Sequence, residues 1–415
     1  MPIPGLSPSM QEAWMKSMTT RRREGKQMKS ELVMVVGARP NMMKASAIAR
    51  VMELYGKNYH IIYTGQHKSQ SMGIDILTGL VEIKTGILYG LDIKKTSISK
   101  MMKAIKKKII RIAKAHSFEP TVMVFGDVDS SLAAALAAKK IEPYHTLVHV
   151  EAALRSFDRV MPEEINRTMI DCISDFLLIS EESARKNVES YAEESGQCVE
   201  FVGNTMLDTL NYVLRNNDIY GRSVEVAESM GLKKDRKYVV VTLHRPENVD
   251  NKENLTLTLE RIAEFVPDKY KIIFPVHPRT ERILEKCSSY AQKRFQCVPP
   301  LSYLDFIAML AESTAVVTDS GGIQEESAYL GVPCITMRWS TERFTPIKSG
   351  FNILLTPEDT FSEGDFEDRV ELAKLIKRRG PINEDGKIAQ REMDFSIDSG
   401  ASLKIFTYLS DRGLI

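Results

Sequence analysis

Residues 32–54 have the sequence LVMVVGARPNMMKASAIARVMEL, in which an apolar run is followed by a glycine turn and then by a helical pattern. The run Leu32–Gly37 is rich in valine and carries no polar side chain, which predicts a strand buried on both faces. Apolar residues at helical spacing over Met42–Tyr55 predict the helix that follows. A buried strand that leads into a helix is the first half of a βαβ unit, so this stretch predicts an α/β fold with a parallel sheet.

The same alternation continues along the chain. Ten further apolar runs predict strands at His60–Thr64, Thr121–Gly126, Thr146–Val150, Phe176–Ser180, Val199–Gly203, Tyr238–Leu243, Lys271–Val276, Ala315–Thr318, Cys334–Met337 and Asn352–Leu355. Predicted helices include Ser131–Lys140, Pro162–Asp175 and a lysine-rich amphipathic stretch from Lys94 to Lys114. The periodicity is weakest at about residues 209–236, where we place a boundary between two doubly wound α/β domains. Ligands of such sheets bind beyond the carboxyl ends of the strands, so we expect the site in a cleft that the two domains face.

The composition excludes several classes of protein. The 415 residues include 56 Lys and Arg and 55 Asp and Glu, and the net charge of +1 lacks the basic excess of a nucleic-acid binder. No stretch approaches the ~20 apolar residues that cross a bilayer, so we predict no membrane partner. The five cysteines are scattered without a CxxC pair, which predicts free thiols, a cytoplasmic location and no zinc knuckle. Residues 1–28 are predicted to be a basic, disordered extension.

Acidic side chains follow neighbouring strands of the first predicted domain. Asp127 and Glu151 each stand at the end of a predicted strand, and Glu163 and Glu164 begin the next helix. Each has an ordinary explanation when taken singly, because aspartate caps helices and glutamate complements the dipole of a helix N-terminus. Their recurrence at neighbouring strand ends and at a helix start nevertheless predicts an acid–base cluster.

The glycine turn after the first predicted strand is a candidate anion site. Gly37 leads into a helix whose unpaired N–H groups and dipole favour anions. Arg39 adds a planar fork suited to phosphate, and Lys44 lies one turn into the helix. An ordinary βα turn with a surface arginine accounts for this segment equally well. The segment is not a GxGxxG fingerprint, so the sequence does not support a nicotinamide cofactor.

Motifs of the second half indicate a nucleoside diphosphate. Ser320-Gly321-Gly322 stands at a strand-to-helix turn, where glycine lets the backbone approach a phosphate closely. Glu326 lies one turn further into that helix and can accept both hydroxyls of a ribose. His244 follows the first strand of this half and is a candidate for proton transfer or for phosphate contact.

Motifs that occur in a fixed order give the chain a family resemblance. They are Gly37-Ala38-Arg39-Pro40, Thr64-Gly65-Gln66-His67, Gly126-Asp127, His149-Val150-Glu151-Ala152, Leu154-Arg155-Ser156, Pro162-Glu163-Glu164-Ile165-Asn166-Arg167, Gly203-Asn204, His244-Arg245, Pro275-Val276-His277, Thr318 to Glu326 and Thr341-Glu342-Arg343. In this order they resemble the non-hydrolysing UDP-N-acetylglucosamine 2-epimerases over about residues 32–410. The resemblance implies two Rossmann-like domains in a glycosyltransferase B-like architecture, at 29–215 and 225–380, and a C-terminal helix within 381–415 that packs back toward the first domain.

The resemblance also implies a reaction. UDP-N-acetylglucosamine and UDP-N-acetylmannosamine are interconverted when the C2 proton is removed, UDP leaves C1, and UDP then adds again with protonation of C2 from the other face. Neither a metal nor a redox cofactor takes part, and the enzyme is implied to be a homodimer. The carboxylates and the imidazole of the two domains are expected to face the same hexose ring.

Site residues are implied by matching positions. The implied catalytic residues are Asp127, Glu151, Glu163 and His244. The substrate-binding residues are Arg39, Pro40, Lys44, Arg167, His277, Ser320, Gly321, Gly322, Glu326 and Arg343, and Gln66 with His67 matches a regulatory segment. Which carboxylate is the base stays open, because a coupled cluster titrates as a unit.

Departures from the family pattern keep alternatives open. Ala153 stands where the family usually has glycine, Val128 replaces a common threonine, and Lys68 and Ser69 replace an aromatic and an acidic residue. A related UDP-amino sugar or uronic acid is therefore an alternative substrate. A hydrolysing epimerase, a glycosyltransferase of the same architecture and a catalytically silent nucleotide-sugar sensor are the alternative functions.

Overall fold

The computed structural model describes residues 28–65, 77–91, 93, 96–141, 145–232, 237–276, 280–281, 284, 293–343, 346–347, 350–355 and 400–415. Contacts divide the chain into two compact units, of which unit 1 falls within residues 1–211 and 397–415 and unit 2 within residues 212–396. Within the described residues, every helix is too short or too polar to span a lipid bilayer.

Unit 1 is built on a seven-stranded parallel sheet with the strand order β3-β2-β1-β4-β5-β6-β7. Its strands are β1 Lys29–Val36, β2 Tyr59–Tyr63, β3 Gly86–Gly90, β4 Phe118–Phe125, β5 Thr146–Ala152, β6 Phe176–Ile179 and β7 Cys198–Phe201. Its helices are α1 Arg39–Leu54, α2 Ile98–His116, α3 Asp129–Lys139, α4 Pro162–Ile173, a 3-10 helix Glu182–Asn187, α5 Glu189–Ser195 and α6 Thr205–Asn216, in which the division between the units falls. The strand order reverses at β1, so the carboxyl ends of β1, β4 and β5 lie side by side at the position where such sheets bind ligands.

Unit 2 is built on a six-stranded parallel sheet with the strand order β10-β9-β8-β11-β12-β13. Its strands are β8 Tyr238–Thr242, β9 Lys271–Pro275, β10 Phe295–Val298, β11 Ala315–Thr318, β12 Cys334–Met337 and β13 Asn352–Leu355. Its described helices include α7 Ile219–Ser229, α8 Pro246–Val249, α9 Lys252–Phe265, α10 Tyr303–Glu312 and α11 Gly321–Tyr329. The carboxyl ends of β8 and β11 are neighbours, so the loops that follow these two strands meet.

The last helix of the chain, α12 Ala401–Ser410, belongs to unit 1 and packs on α1. The backbone N–H and the hydroxyl of Ser402 both donate to Asp208 Oδ2, at 2.7 and 2.6 Å. The rings of Tyr55 and Phe406 stack with centroids 4.4 Å apart. The end of the chain is therefore fixed to the unit that contains its first strand.

All eleven strands predicted from apolar runs occur, and Ala315–Thr318, Cys334–Met337 and Asn352–Leu355 have the predicted bounds. The amphipathic stretch predicted from Lys94 to Lys114 is confirmed as α2, which buries Met102, Ile105, Ile109 and Ile112. Strands β3 and β10 were not predicted, and each lies at an edge of its sheet. An edge strand has one hydrogen-bonded neighbour and a partly exposed surface, so its apolar run can be weaker than that of a central strand, although the edge strands β7 and β13 were predicted.

A carboxylate near the end of α1 fixes the start of β3. Glu53 accepts hydrogen bonds from the backbone N–H groups of Lys84 at 2.9 Å, of Thr85 at 3.0 Å and of Gly86 at 3.2 Å, and from the Tyr59 hydroxyl at 2.8 Å. Burial by itself raises the pKa of Glu53, but these hydrogen bonds together lower it below its usual value. The ionised carboxylate therefore stabilises the fold.

Glu53→Gln is expected to lower the free energy of unfolding by about 1–3 kcal/mol, because the amide replaces one acceptor oxygen with a donor group. The folded pKa lies below the unfolded value near 4.5, so this contribution is fully present above that pH and is lost as the pH falls through the folded pKa. Urea unfolding of both proteins at neutral and acidic pH measures the difference. Glu82→Gln, at a side chain that is 80% exposed, is the matched control and should change stability little.

Candidate active site

Glu151 lies in a bulge at the carboxyl end of β5. Val150 pairs with Leu178 and Ala152 pairs with Ile179, which leaves Glu151 as an extra residue between the two pairs. The φ angles of Glu151 and Ala153 are both 65°, in the left-handed region that favours glycine. Non-glycine residues there cost about 1–2 kcal/mol, and such strain concentrates at functional sites. Ala153 therefore keeps a backbone conformation suited to the glycine that is usual at this position.

Lys44 of α1 forms an ion pair with the Glu151 carboxylate, and both side chains are buried. The strained bulge thus presents a carboxylate whose cationic partner comes from the helix after β1. In this structure Lys44 is the ion-pair partner of Glu151.

Asp127, directly after β4, is bound by Arg167 of α4. The same guanidinium donates from Nη1 to Glu164 Oε2 at 2.5 Å, and Glu164 also accepts from the backbone and the hydroxyl of Ser156 at 3.0 and 3.1 Å. The Asp127 side chain is 26% exposed, whereas that of Glu164 is 7% exposed. Asp127 therefore remains accessible to a ligand, while Glu164 has a structural role.

Glu163 differs from its neighbour Glu164. It is half-buried in the first turn of α4, and it has no hydrogen bond or ion pair with the described residues. Of the two adjacent glutamates, Glu163 is therefore the one without a structural partner among the described residues, and its predicted catalytic role stays a prediction.

A buried cluster of polar and charged side chains lies next to these carboxylates, and we did not predict it from the sequence. Asp171 of α4 receives His149 Nδ1 at 2.7 Å, Arg155 Nη1 at 2.6 Å and the backbone N–H of Ala153 at 3.1 Å. His149 Nε2 lies 3.0 Å from the carbonyl of Gly126. Asp171 and His149 are 0% exposed. The cluster therefore holds backbone groups next to both Asp127 and Glu151.

The partners of Asp171 set its charge. Burial by itself raises the pKa of Asp171, but the hydrogen bonds and charges of His149 and Arg155 lower it below its usual value. The two ring nitrogens of His149 both face acceptor oxygens, at Asp171 and at the carbonyl of Gly126. A histidine inside an apolar strand, two residues before Glu151, was the available sequence signal.

In unit 2 the turn after β8 is organised by Asp319, which directly follows β11. Asp319 accepts from the backbone N–H groups of His244 and Arg245 at 3.0 and 2.9 Å and from the Asn248 amide at 3.0 Å. His244 Nδ1 lies 2.8 Å from Asp319 Oδ1. Burial by itself raises the pKa of Asp319, but these hydrogen bonds lower it more, so that the pKa lies below its usual value. The sequence predicted His244 but gave Asp319 no role.

The predicted phosphate motif begins α11. Ser320 is the residue before the first helical turn and has no side-chain cap bond, so the N–H groups of that turn lack a side-chain acceptor from the cap. A Cβ atom on Gly321 would lie 3.0 Å from Glu342 Oε1, a tight contact with the end of that side chain. Glu326 accepts the Tyr303 hydroxyl at 2.8 Å, and Arg343 pairs with Glu325 at 2.9 Å.

The remaining predicted residues have mixed outcomes. Arg39 and Pro40 are exposed in the first turn of α1. His277, Gln66 and His67 lie outside the described residues. In the described part of the chain, His, Cys, Asp and Glu side chains do not gather in groups of three that could hold a metal ion.

Comparison with known proteins identifies the family. A model described as UDP-N-acetylglucosamine 2-epimerase matches residues 49–363. The chain belongs to this family. It is 37% identical over 333 residues to a UDP-N-acetylglucosamine 2-epimerase of Methanocaldococcus jannaschii, a match that covers 78% of this chain and 88% of the relative. A UDP-2,3-diacetamido-2,3-dideoxy-D-glucuronate 2-epimerase of Pseudomonas aeruginosa is 31% identical, over 88% of this chain and 99% of the relative.

Solved structures of the UDP-N-acetylglucosamine 2-epimerase family share the fold. The Methanocaldococcus jannaschii enzyme in complex with UDP-GlcNAc and UDP is 32% identical with a TM-score of 0.71, and the match covers 91% of this chain and 99% of that one. The Neisseria meningitidis enzyme bound to UDP-GlcNAc is 26% identical with a TM-score of 0.76, over 92% and 100%. The predicted family, the predicted isomerase class and the two Rossmann-like domains are therefore confirmed.

Proposed function

We propose that this family member interconverts UDP-N-acetylglucosamine and UDP-N-acetylmannosamine without hydrolysis. The observation that carries the proposal is the set of carboxylates at the carboxyl ends of β4 and β5 and at the start of α4. Glu151 is held in a strained bulge against Lys44, Asp127 is held by Arg167, and Glu163 has no partner among the described residues. A transfer reaction generally needs one base, whereas elimination and re-addition need both a base and an acid.

The reaction balances with these groups. A carboxylate takes the C2 proton as the bond from C1 to the diphosphate oxygen breaks, which leaves a C1–C2 double bond and UDP. UDP then adds again to C1 while a protonated carboxylic acid returns a proton to the opposite face of C2. The C2 hydrogen is weakly acidic, so a positioned base and concerted departure of UDP are both needed. Asp127, Glu151, Glu163 and His244 are the proposed acid–base groups.

Unit 2 supplies most of the proposed groups for UDP. The leaving diphosphate gains charge, which the first-turn amides of α11 at Gly321 and Gly322 stabilise. Ser320 and Arg343, together with Arg39 of α1, are the further proposed contacts to UDP. Glu326 is proposed to accept the ribose hydroxyls, in exchange for the Tyr303 hydroxyl that it binds at 2.8 Å. The mechanism uses no metal and no redox cofactor.

We propose two further properties of the protein. The family resemblance supports a homodimer. A cytoplasmic location is supported by Cys172, Cys198, Cys297 and Cys334, which are free thiols in the described part of the chain.

A deuterium experiment tests the reaction. Incubation of the protein with UDP-N-acetylglucosamine in deuterated water is expected to yield UDP-N-acetylmannosamine with deuterium at C2, because the C2 proton exchanges with solvent on the carboxylate. Mass spectrometry and proton NMR of the nucleotide sugars measure it. C2 that keeps its protium would contradict the elimination, and release of free N-acetylmannosamine would identify a hydrolysing enzyme.

A second substrate is favoured by one specific observation. The Pseudomonas aeruginosa relative that matches 88% of this chain is named for a diacetamido uronic acid. The same incubation with UDP-2,3-diacetamido-2,3-dideoxy-D-glucuronate separates the two substrates, since the preferred one is converted with the higher kcat/KM.

A further inference from the structure

The two carboxylate oxygens of Asp319 share the His244 backbone N–H but otherwise have different partners. Oδ1 faces the ring of His244, with Nδ1 at 2.8 Å, and lies 3.2 Å from that backbone nitrogen. Oδ2 accepts three N–H groups, from Arg245 at 2.9 Å, from the His244 backbone at 3.0 Å and from the Asn248 amide at 3.0 Å. The Asn248 amide also donates to the carbonyl of Met337 at 3.1 Å, which fixes its orientation. Asp319 is 0% exposed, so water does not substitute for these partners.

We propose that Asp319 is a positioning residue that keeps the His244 proton on Nδ1, so that Nε2 is the nitrogen that exchanges a proton with the substrate. A carboxylate only accepts hydrogen bonds, so the ring nitrogen that faces Oδ1 must donate. The neutral ring then has its lone pair on Nε2. The His244 side chain is 54% exposed, and Nε2 makes no hydrogen bond with the described residues, so this nitrogen is accessible to a ligand.

Asparagine at position 319 should reverse the tautomer. The three N–H donors at Oδ2 require an acceptor, so the amide oxygen of Asn takes that place and the amide NH2 group takes the place of Oδ1. The NH2 group donates to His244 Nδ1, and the neutral ring must then carry its proton on Nε2. The nitrogen that meets the substrate changes from an acceptor to a donor, although the ring and the turn keep their positions.

The tautomer is measured directly. Histidine-selective 15N labelling and two-bond 15N–1H correlation spectra, recorded about two pH units above the ordinary histidine pKa of about 6.5, distinguish the two forms, and His244→Gln assigns the signal. We expect Nδ1–H in the wild type and Nε2–H in Asp319→Asn. We also expect Asp319→Asn to lower kcat for epimerisation about 100-fold with KM within about 3-fold, because proton transfer is affected more than binding.

Asn248→Ala is the matched control. It removes one donor from Oδ2 but leaves two backbone donors there, so Nδ1–H should persist. Nε2–H in the wild type, Nδ1–H in Asp319→Asn, or a folded Asp319→Asn protein with unchanged kcat would each overturn the inference. Its catalytic part rests on the proposed function, but the spectra do not. A wild-type protein that carries the His244 proton on Nδ1 but does not epimerise the substrate would contradict the proposed function. It would leave the inference about the tautomer intact.

Discussion

Replacing Glu151 with glutamine is expected to lower kcat for epimerisation about 1,000-fold, within the range that general acid–base catalysis contributes. Glutamine has nearly the same shape but neither takes up nor returns a proton. It also leaves the buried ammonium of Lys44 against a neutral amide. Because the substitution removes proton transfer, it should lower kcat and kcat/KM together and leave the affinity for UDP nearly unchanged.

Steady-state kinetics and UDP titration of the two proteins measure this result. Glu194→Gln, at an exposed position of α5 in the same unit, is the control for the loss of one glutamate charge and should keep full activity. We expect Glu151→Gln to lose far more kcat than Glu164→Gln, because Glu164 acts only through Arg167. Nearly full activity in Glu151→Gln would rule out Glu151 as an acid or base in the reaction.

The central part of the fold could be predicted from the sequence, because strands that are buried on both faces leave uninterrupted apolar runs. The two unpredicted strands have no such run. Gly86–Gly90 contains exposed and partly exposed positions, and Phe295–Val298 buries only its first residue. Edge strands owe their conformation to one neighbouring strand, which is a contact distant in sequence that local patterns do not record.

The carboxylates that we propose as acid–base groups were found in the sequence for a related reason. Strand ends of a parallel sheet converge at one edge, so polar residues directly after apolar runs indicate a site. The groups that hold those residues gave no such signal. Asp171 lies near the end of α4, in a helix whose sequence has polar and apolar residues on different faces, and its complete burial depends on His149 and Arg155 from other elements. The difference between Glu163 and Glu164 likewise depends on the hydrogen bonds that Glu164 accepts from Arg167 and Ser156.

Replacing Asp171 with asparagine is expected to lower the free energy of unfolding by about 3–5 kcal/mol, which is the usual result of removing one partner from a buried ion pair. Asp171 carries the negative charge between His149 and Arg155, and none of the three side chains is more than 8% exposed. Without that charge, the buried guanidinium of Arg155 faces a neutral amide. The loss is a large fraction of the stability of an ordinary domain, about 5–15 kcal/mol.

Urea unfolding followed by circular dichroism measures the effect, with Asp175→Asn as the matched control. Asp175 pairs with Lys139 at 2.6 Å, but its side chain is 44% exposed, so that substitution should cost about 1 kcal/mol or less. The pH dependence gives an independent check. The pKa of Asp171 is lowered on folding from an ordinary value near 3.8, so its contribution is present above that pH and is lost as the pH falls through the folded pKa. Equal losses in Asp171→Asn and Asp175→Asn would show that the buried cluster does not stabilise the fold through charge, because the two substitutions differ chiefly in how far water screens the cation that is left behind.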